Sequence, residues 1–504
     1  MKKLFPLIVT VLLAAACGGK ASVYKGSPAV ELSLVEVSHT SATLLVQSVN
    51  SDAVYLLCTL DSTEPGPEEV IADGRIVEPG TVVLSPLSVG CSYHAYALGV
   101  QGEERSKLQR VDFVTGVLAD DLYPWEKARG DVPSFADITL CSGGGRPNNN
   151  AWFSIPSTWD AARFAPHVSF TDDSGEHWLF DAFLSITGID MDGRTYGINP
   201  NGARSADKAS WEALASYWLD KGGAFEALDE AIDATASRIG MPPRKRYVVM
   251  VAPDPIMFEY FSDKNSSTSY WGAVDGRMLD FSRIDDQIVA YEWYFDLCRE
   301  KFNALHTSHL ELAGFYVLSE ELVARTDGWN YRYKRWDRIL PPVSEYLHAR
   351  NEGLYWIPYR KADGVDLWKE LGFDVAWLQP NYYWDYTGDM PIAEAFAMMK
   401  KYGMGMELEF EYSMVEEVMT SVNGIMGPDG AGRYVFSAKD VESLRGRLRE
   451  YMQGFKDNGF YGKYPIALYS GSNAMWQLGT SKNSSDIAMY RELCQFIAGN
   501  PLKK

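Results

Sequence analysis

Cysteine is scarce in this chain, six among 504 residues, and no two of the six form a CxxC pair. Without that spacing a thiolate zinc site has no framework. Apart from Cys17, the cysteines are Cys58, Cys91, Cys141, Cys298 and Cys494, scattered and odd in number, so no disulfide scaffold is indicated. Cys58 and Cys91 either pair with each other or lie as buried thiols. Positive charge is also short. Lys and Arg number 47 against 67 Asp and Glu, a net charge of −20. That balance argues against nucleic acid or an anionic membrane surface as partner. Past the first residues, no run is long and apolar enough to span a bilayer. There is no GxSxG stretch for a serine hydrolase, and the Gly-rich "CSGGG" at 141 is not followed by Lys-Ser/Thr as a nucleotide loop requires. No cofactor is expected.

The first residues give an address. "MKK" is basic, "LFPLIVTVLLAAA" is apolar but short for a transmembrane helix, and small residues precede Cys17. This reads as a signal peptide over residues 1–16. "LAAAC" resembles a bacterial lipobox, which implies a lipid on Cys17 and a protein anchored at the cell envelope. The plainer alternative is a signal peptide with a chance cysteine. "GGKAS" after Cys17 lacks the acidic run that resembles a surface-export tag in Bacteroidetes lipoproteins, so outer-membrane, periplasmic and surface faces all stay open.

The length calls for more than one domain. Residues 28–116 read as short strands punctuated by turn residues, the pattern of a β-sandwich. "LSVGCSY", with Leu87, Gly90 and Tyr93, resembles the tyrosine-corner stretch of fibronectin type III domains. The polar "LADDLYPWEKARGDVPSF" leads into residues 118–504, where strand-like and helix-like segments alternate. Strand candidates begin at about 137, 181, 246, 310, 353, 374, 403 and 464. Eight such units fit a (β/α)8 barrel, with a doubly wound sheet as the alternative. No internal repeat or low-complexity tract interrupts them.

One strand is unusual. "GMGMELEFE" from 403 alternates Met406, Leu408 and Phe410 with Glu407, Glu409 and Glu411. Alternate strand residues face opposite sides, so the three carboxyls share one face. In a barrel the apolar row meets the helices and the carboxyls face the axis or the upper mouth, where barrel active sites lie. Glu320, in "AGFYVLSEE", falls at the end of the fourth strand, and Glu409 on the seventh. This placement resembles the large clan of retaining glycoside hydrolases, which implies Glu320 as acid/base and Glu409 as nucleophile, with Glu407 the next choice. Retaining chemistry needs two carboxyls about 5–5.5 Å apart, one protonated and one not. Glu321 should point away from the axis.

Further runs, "FDAFLSI", "WIPYRKADGVDLWKELGFDVAWLQPNYYW" and "YGMGMELEFE", carry a closer resemblance over about residues 120–495. The chain is similar to a bacterial family known only as a domain of unknown function. Its members are secreted or lipidated and occur with polysaccharide-degrading machinery in Bacteroidetes and Firmicutes. The resemblance implies a glycoside-hydrolase-like barrel and no particular substrate. Val317 stands where many relatives have an aromatic, which bears on a subsite contact and not on Glu320. The composition, with 15 Trp, 29 Tyr and 22 Phe, suits rings that stack on sugars as well as rings that fill a core. Candidate sugar contacts are Trp271, Arg277, Trp356, Tyr359, Asn381, Tyr382, Tyr383 and Trp384. "HTSHLE" at 306 has metal-like residues at the wrong end of a strand, and "DMDGRTYG" at 190 lacks the later ligands of a calcium loop. Metal is therefore not expected. The sequence points to a monomeric, lipid-anchored glycoside hydrolase acting on a poly- or oligosaccharide. A non-catalytic glycan-binding lipoprotein is the main alternative, and a structural envelope protein with a degenerate barrel the weaker one.

Overall fold

A computed structural model describes residues 26–37, 41–84, 87, 92–115, 134–146, 158–197, 203–322, 335–424, 433, 435–471 and 473–503. The signal segment, Cys17, Gly90, Cys91 and most of the 118–135 connection lie outside these residues. The chain divides into two compact units, one ending at Thr115 and the other running to the C-terminus.

The first unit is an antiparallel β-sandwich. One sheet pairs Ala29–Val37, Ala42–Val49 and Gly80–Leu84. The other pairs Arg75–Val77, Ala53–Thr59 and Ser92–Gln101, with Glu104–Arg105 and Gln109–Val114 also on the last of these. Alternate residues place Ala42, Leu44 and Val46 of one sheet and Val54, Leu56, Ala95 and Ala97 of the other in the core, while Tyr96 and Leu98 are buried on the opposite face. Tyr93 is buried and stacks on Phe113 at 5.6 Å. A helix, Pro67–Asp73, appears where the sequence reading has only strands and turns. Pro at its start and Glu68 and Glu69 in its first turn favour it, and its Val70 covers Tyr96 and Leu98. Cys58 is a free thiol, as are Cys141, Cys298 and Cys494.

The second unit is a closed barrel of eight parallel strands. In chain order they are β1 Asp137–Ser142, β2 Ala182–Ile186, β3 Arg246–Ala252, β4 Leu310–Val317, β5 Gly353–Trp356, β6 Val375–Leu378, β7 Gly405–Glu409 and β8 Ile466–Tyr469. Each pairs with the next, and β8 returns to β1 through Ile466–Asp137, Ala467–Ile138 and Leu468–Thr139. That last pairing rules out the doubly wound alternative, which would leave two open edges. Phe135 marks the interior: its ring lies 6.0 Å from Tyr247 on β3, 5.7 Å from Tyr355 on β5 and 6.0 Å from Trp377 on β6. A single side chain meets three such separated strands only on the axis.

Helices follow most strands, with one departure. Between β5 and β6 the described chain makes only a 3-10 turn, Val365–Leu367. The long helical run after β2 is two helices, Lys208–Leu219 and Ala224–Ile239, broken where Gly222 takes φ +81°. Within β4 the register slips by one residue, so that Val248 faces Leu312 but Val249 faces Gly314. This bulge reverses which residues of β4 point inward. Val251 shares the inward face of Tyr247, and it pairs with Tyr316. Gly314 sits at φ +146°, and a Cβ there would run into the Gly353 carbonyl.

Candidate active site

The C-terminal ends of β4 and β7 bring four carboxyls within electrostatic reach of Tyr469 on β8, around a cup at that end of the barrel. Glu320 follows β4 by three residues and remains open to solvent, yet desolvation by its surroundings raises its pKa. Glu407 lies within β7, 1% exposed. Among the described residues neither of its carboxyl oxygens has a hydrogen-bond partner. Burial pushes its pKa well above the ordinary range, and the charges of Glu409 and Glu320 push it further. Gln379, one residue beyond β6, lies beside both Glu320 and Glu407 and favours the charged form of each. Its approach to Glu407 falls short of full hydrogen-bond geometry.

Glu409, two residues on and also fully buried, is held differently. Its Oε1 accepts from the Asn381 amide at 2.9 Å and its Oε2 from the Tyr451 hydroxyl at 2.5 Å. Burial raises it to about 7, against the pull of Tyr451 and of the amides of residues 381–383. Glu409 therefore ties the loop after β6 to the helix Ala438–Asp457, which carries Tyr451. Glu411 lies past the strand end, beside Ser413 at 3.3 Å and Trp384, and burial raises it as well. On β8, Tyr469 pairs in register with Glu409 and is influenced by all four glutamates.

The turn that carries Glu320 is pinned from two sides. Ser319 donates to Asp254 Oδ2 at 2.5 Å, and the Trp356 indole donates to the Ser319 carbonyl at 2.7 Å. Glu321 turns away and accepts from the Asp363 amide at 3.4 Å, with Tyr359 also beside it.

The expected sugar contacts divide into two groups. Tyr359, half-buried, lies beside Glu321 and within reach of the Glu320 charge. Trp384, also half-buried, packs 6.0 Å from Tyr469 and stands beside Glu411. Asn381 takes φ +56° and serves Glu409 through its backbone. Tyr382 keeps a partly open ring, edge-on to Tyr451 at 5.5 Å, with its hydroxyl on Glu450. The others sit elsewhere. Trp356 has no exposed surface and stacks on Phe373 at 5.1 Å, so its ring offers no face to a ligand. Tyr383 is enclosed, its hydroxyl 3.0 Å from Ser413. Trp271 is packed among Trp211, Phe281 and Trp293 at 5.2–5.6 Å. Arg277, on a short hairpin, pairs with Asp286 at 2.6 Å. Sequence reasoning passed over Gln379, Asp254 and Tyr469. Each stands just at or past a strand end, and Gln379 also falls within the "WLQPNYYW" run.

The motifs set aside in the sequence have structural duties. Asp190 of "DMDGRTYG" accepts from the amides of Asp192 and Arg194 and from Ser210. The backbone of His309 is held by Asp229.

The family model described as Domain of unknown function (DUF4855) matches residues 140–426, more than half of the chain. The chain belongs to that family. The DUF4855 match contains Glu320, Gln379, Glu407 and Glu409 but stops before β8 and Tyr451, so the barrel that closes around the site extends beyond it. No curated protein matches the chain. Similar solved structures include an fn3 domain of human collagen alpha-1(XX) chain, 23% identical over 20% of this chain and 95% of that one, with a TM-score of 0.16. A redesigned beta sandwich protein is 15% identical over 18% of this chain and 93% of its own, with a TM-score of 0.15. A beta-D-glucuronidase from Dictyoglomus thermophilum is 10% identical over 87% of this chain and 61% of its own, with a TM-score of 0.30. The sandwich and barrel described above rest on strand pairing alone.

Proposed function

We propose that the DUF4855 barrel is a glycoside hydrolase whose working carboxyls are Glu320 and Glu407. The observation that carries this reading is Glu407 itself, buried without a hydrogen-bond partner and within the field of Glu320. A buried polar group that its own protein leaves unpaired is costly, and such costs collect at functional sites. Glu409 is already committed to Asn381 and Tyr451, which suits a positioning residue better than a nucleophile. In a retaining sequence, protonated Glu320 gives its proton to the glycosidic oxygen as that bond breaks, and the Glu407 carboxylate bonds to the anomeric carbon. Water then attacks that carbon, Glu320 takes its proton back, and the Glu407 ester is released. The like charges on the two groups favour a state with one proton between them; burial favours it on Glu407 in the free protein, so this division requires the proton to pass to Glu320 when substrate binds.

The same reading places the protein at the cell envelope, with Cys17 carrying a lipid; mass spectrometry of the mature N-terminus tests that. The enzymatic reading is tested by a glycan-library screen of the wild type and of Glu320→Gln, Glu407→Gln and Glu321→Gln. Glu320→Gln and Glu407→Gln should each lower turnover at least about 100-fold while binding persists, and Glu321→Gln should change it little. A glycan that binds the wild type, is never cleaved, and binds the Gln variants equally well would make the barrel a glycan-binding module instead.

A further inference from the structure

The cup has a marked charge imbalance. Glu320, Glu407, Glu409 and Glu411 all act on the single ring of Tyr469. Glu320 and Glu407 also act together on Tyr316, with Asp254 beside them. Among the described residues, no Lys, Arg or His acts on Glu320, Glu407 or Glu411, and none forms an ion pair with any of the four. The cations around the mouth are engaged elsewhere. Arg447 donates to the carbonyls of Tyr382 and Tyr383, at 3.1 and 2.7 Å. Arg360 donates to the Asp389 carbonyl at 2.6 Å. Arg163 donates to Asn473 at 2.5 Å and to the Thr158 carbonyl at 3.1 Å.

Glycoside hydrolysis needs two carboxyls. This cup holds four, and the deepest has both oxygens unpaired. An anionic sugar, a uronate or a sulfate ester, would bring a further negative charge into a cup with no cation to receive it. A neutral sugar would leave the imbalance as it stands. An ammonium group would supply the missing charge and the donors that Glu407 lacks, as a three-proton donor can. No cluster suited to a metal ion is present among the described residues, so protons on the raised carboxyls balance the empty cup, and an ammonium group on the ligand would take their place.

We propose that the site takes a sugar bearing a free, protonated amine, an unacetylated hexosamine, in preference to its acetylated, neutral or acidic counterparts. The proposal rests on the cup being the sugar site of the preceding section. Glu407 is the primary contact of the ammonium group or its nearest counter-charge, and Tyr359 and Trp384 are the rings available to the sugar faces.

Monosaccharides test this without knowledge of the linkage. Titrations followed by NMR at low salt would compare glucosamine, galactosamine and mannosamine with their N-acetyl forms, with the parent hexoses, and with glucuronic and galacturonic acids. At least one free hexosamine should bind at least about tenfold more tightly than its N-acetyl and hydroxyl counterparts, through attraction that weakens with added salt. Glu407→Gln should remove that preference, and so should Glu411→Gln in part. Equal or tighter binding of a neutral hexose or of a uronic acid overturns the proposal. So does absence of hexosamine binding up to about 50 mM, where even millimolar affinity would be visible. Cleavage of a neutral or acidic glycan would sustain the hydrolase and remove the amine preference. Selective hexosamine binding with no cleavage of any amino-sugar oligomer would do the reverse.

Discussion

Glu407 departs from what stability alone would select. A carboxyl whose folded pKa stands above its unfolded value, 4.5 for Glu, favours the folded state only while protonated. As pH rises from that value toward the folded pKa, the folded form binds more protons than the unfolded chain, and stability falls. Glu407→Gln removes this dependence. The variant should melt higher than the wild type at pH 8, by about 1 kcal/mol or more, with the gap narrowing toward pH 4.5. Calorimetry across that range checks it, and a variant less stable at pH 8 would mean Glu407 is paired in solution. Trp356 makes the complementary case. The sequence offers it as a stacking ring, but the structure encloses it and uses its indole N–H to hold the Ser319 carbonyl, next to Glu320. Trp356→Phe keeps most of the packing and removes the donor. In an active assay, kcat should fall about tenfold with KM changed less than about twofold, since positioning acts on the transition state. A rise in KM alone would return Trp356 to the substrate contacts.

At the scale of elements, the eight strands were legible because each is a short apolar run bounded by turns, and strand–helix alternation implies a parallel sheet. The bulge in β4 was not. Periodicity alone places odd-numbered residues of β4 inward beside Tyr247, whereas the slip at Ala313–Gly314 turns Tyr316 inward. Its only trace in the sequence is a glycine inside a strand. Gly314→Ala must accept both φ +146° and a collision with Gly353. It should lose about 3 kcal/mol or more, read as a lower denaturation midpoint, and lose activity out of proportion because the inward face of β4 shifts. A variant with wild-type stability would show that the backbone at 314 relaxes freely. The 3-10 turn between β5 and β6 likewise escaped the alternating pattern, because "GVDLWKELGFD" holds only about two helical turns before Gly372.

At the scale of the molecule, the far end of the barrel is locked by charges from distant parts of the chain. Lys503 lies 2.7 Å from Asp137 and 3.6 Å from Asp181, and Asp181 pairs with Arg246 at 3.1 Å. Burial raises Asp137 to about 6 despite Lys503. Lys503→Met leaves that carboxylate short of its counter-charge, a loss of about 3 kcal/mol for a buried pair broken on one side. The loss should be larger at pH 8 than at pH 5, where a protonated Asp137 needs no partner. Thermal melts at both values test this. A pH-independent loss would place the effect in packing instead.

The sequence by itself determined the order of the strands, the division into sandwich and barrel, and the set of residues from which the site is drawn. Those follow from local patterns: alternation in "GMGMELEFE", turn residues between short strands, and acids at strand ends. Which glutamate faces which was decided only by the tertiary structure. Glu407 and Glu409 share a face and a chemistry, and nothing within β7 tells them apart. What separates them is Gln379 and Glu320 on one side, Tyr451 and the 381–383 amides on the other. Those neighbours arrive from other strands and from a helix more than 40 residues further along the chain. Side-chain alternation is a property of one strand, but hydrogen-bond partners and counter-charges are set by closure of the barrel, which brings the ends of separated strands into a single cup.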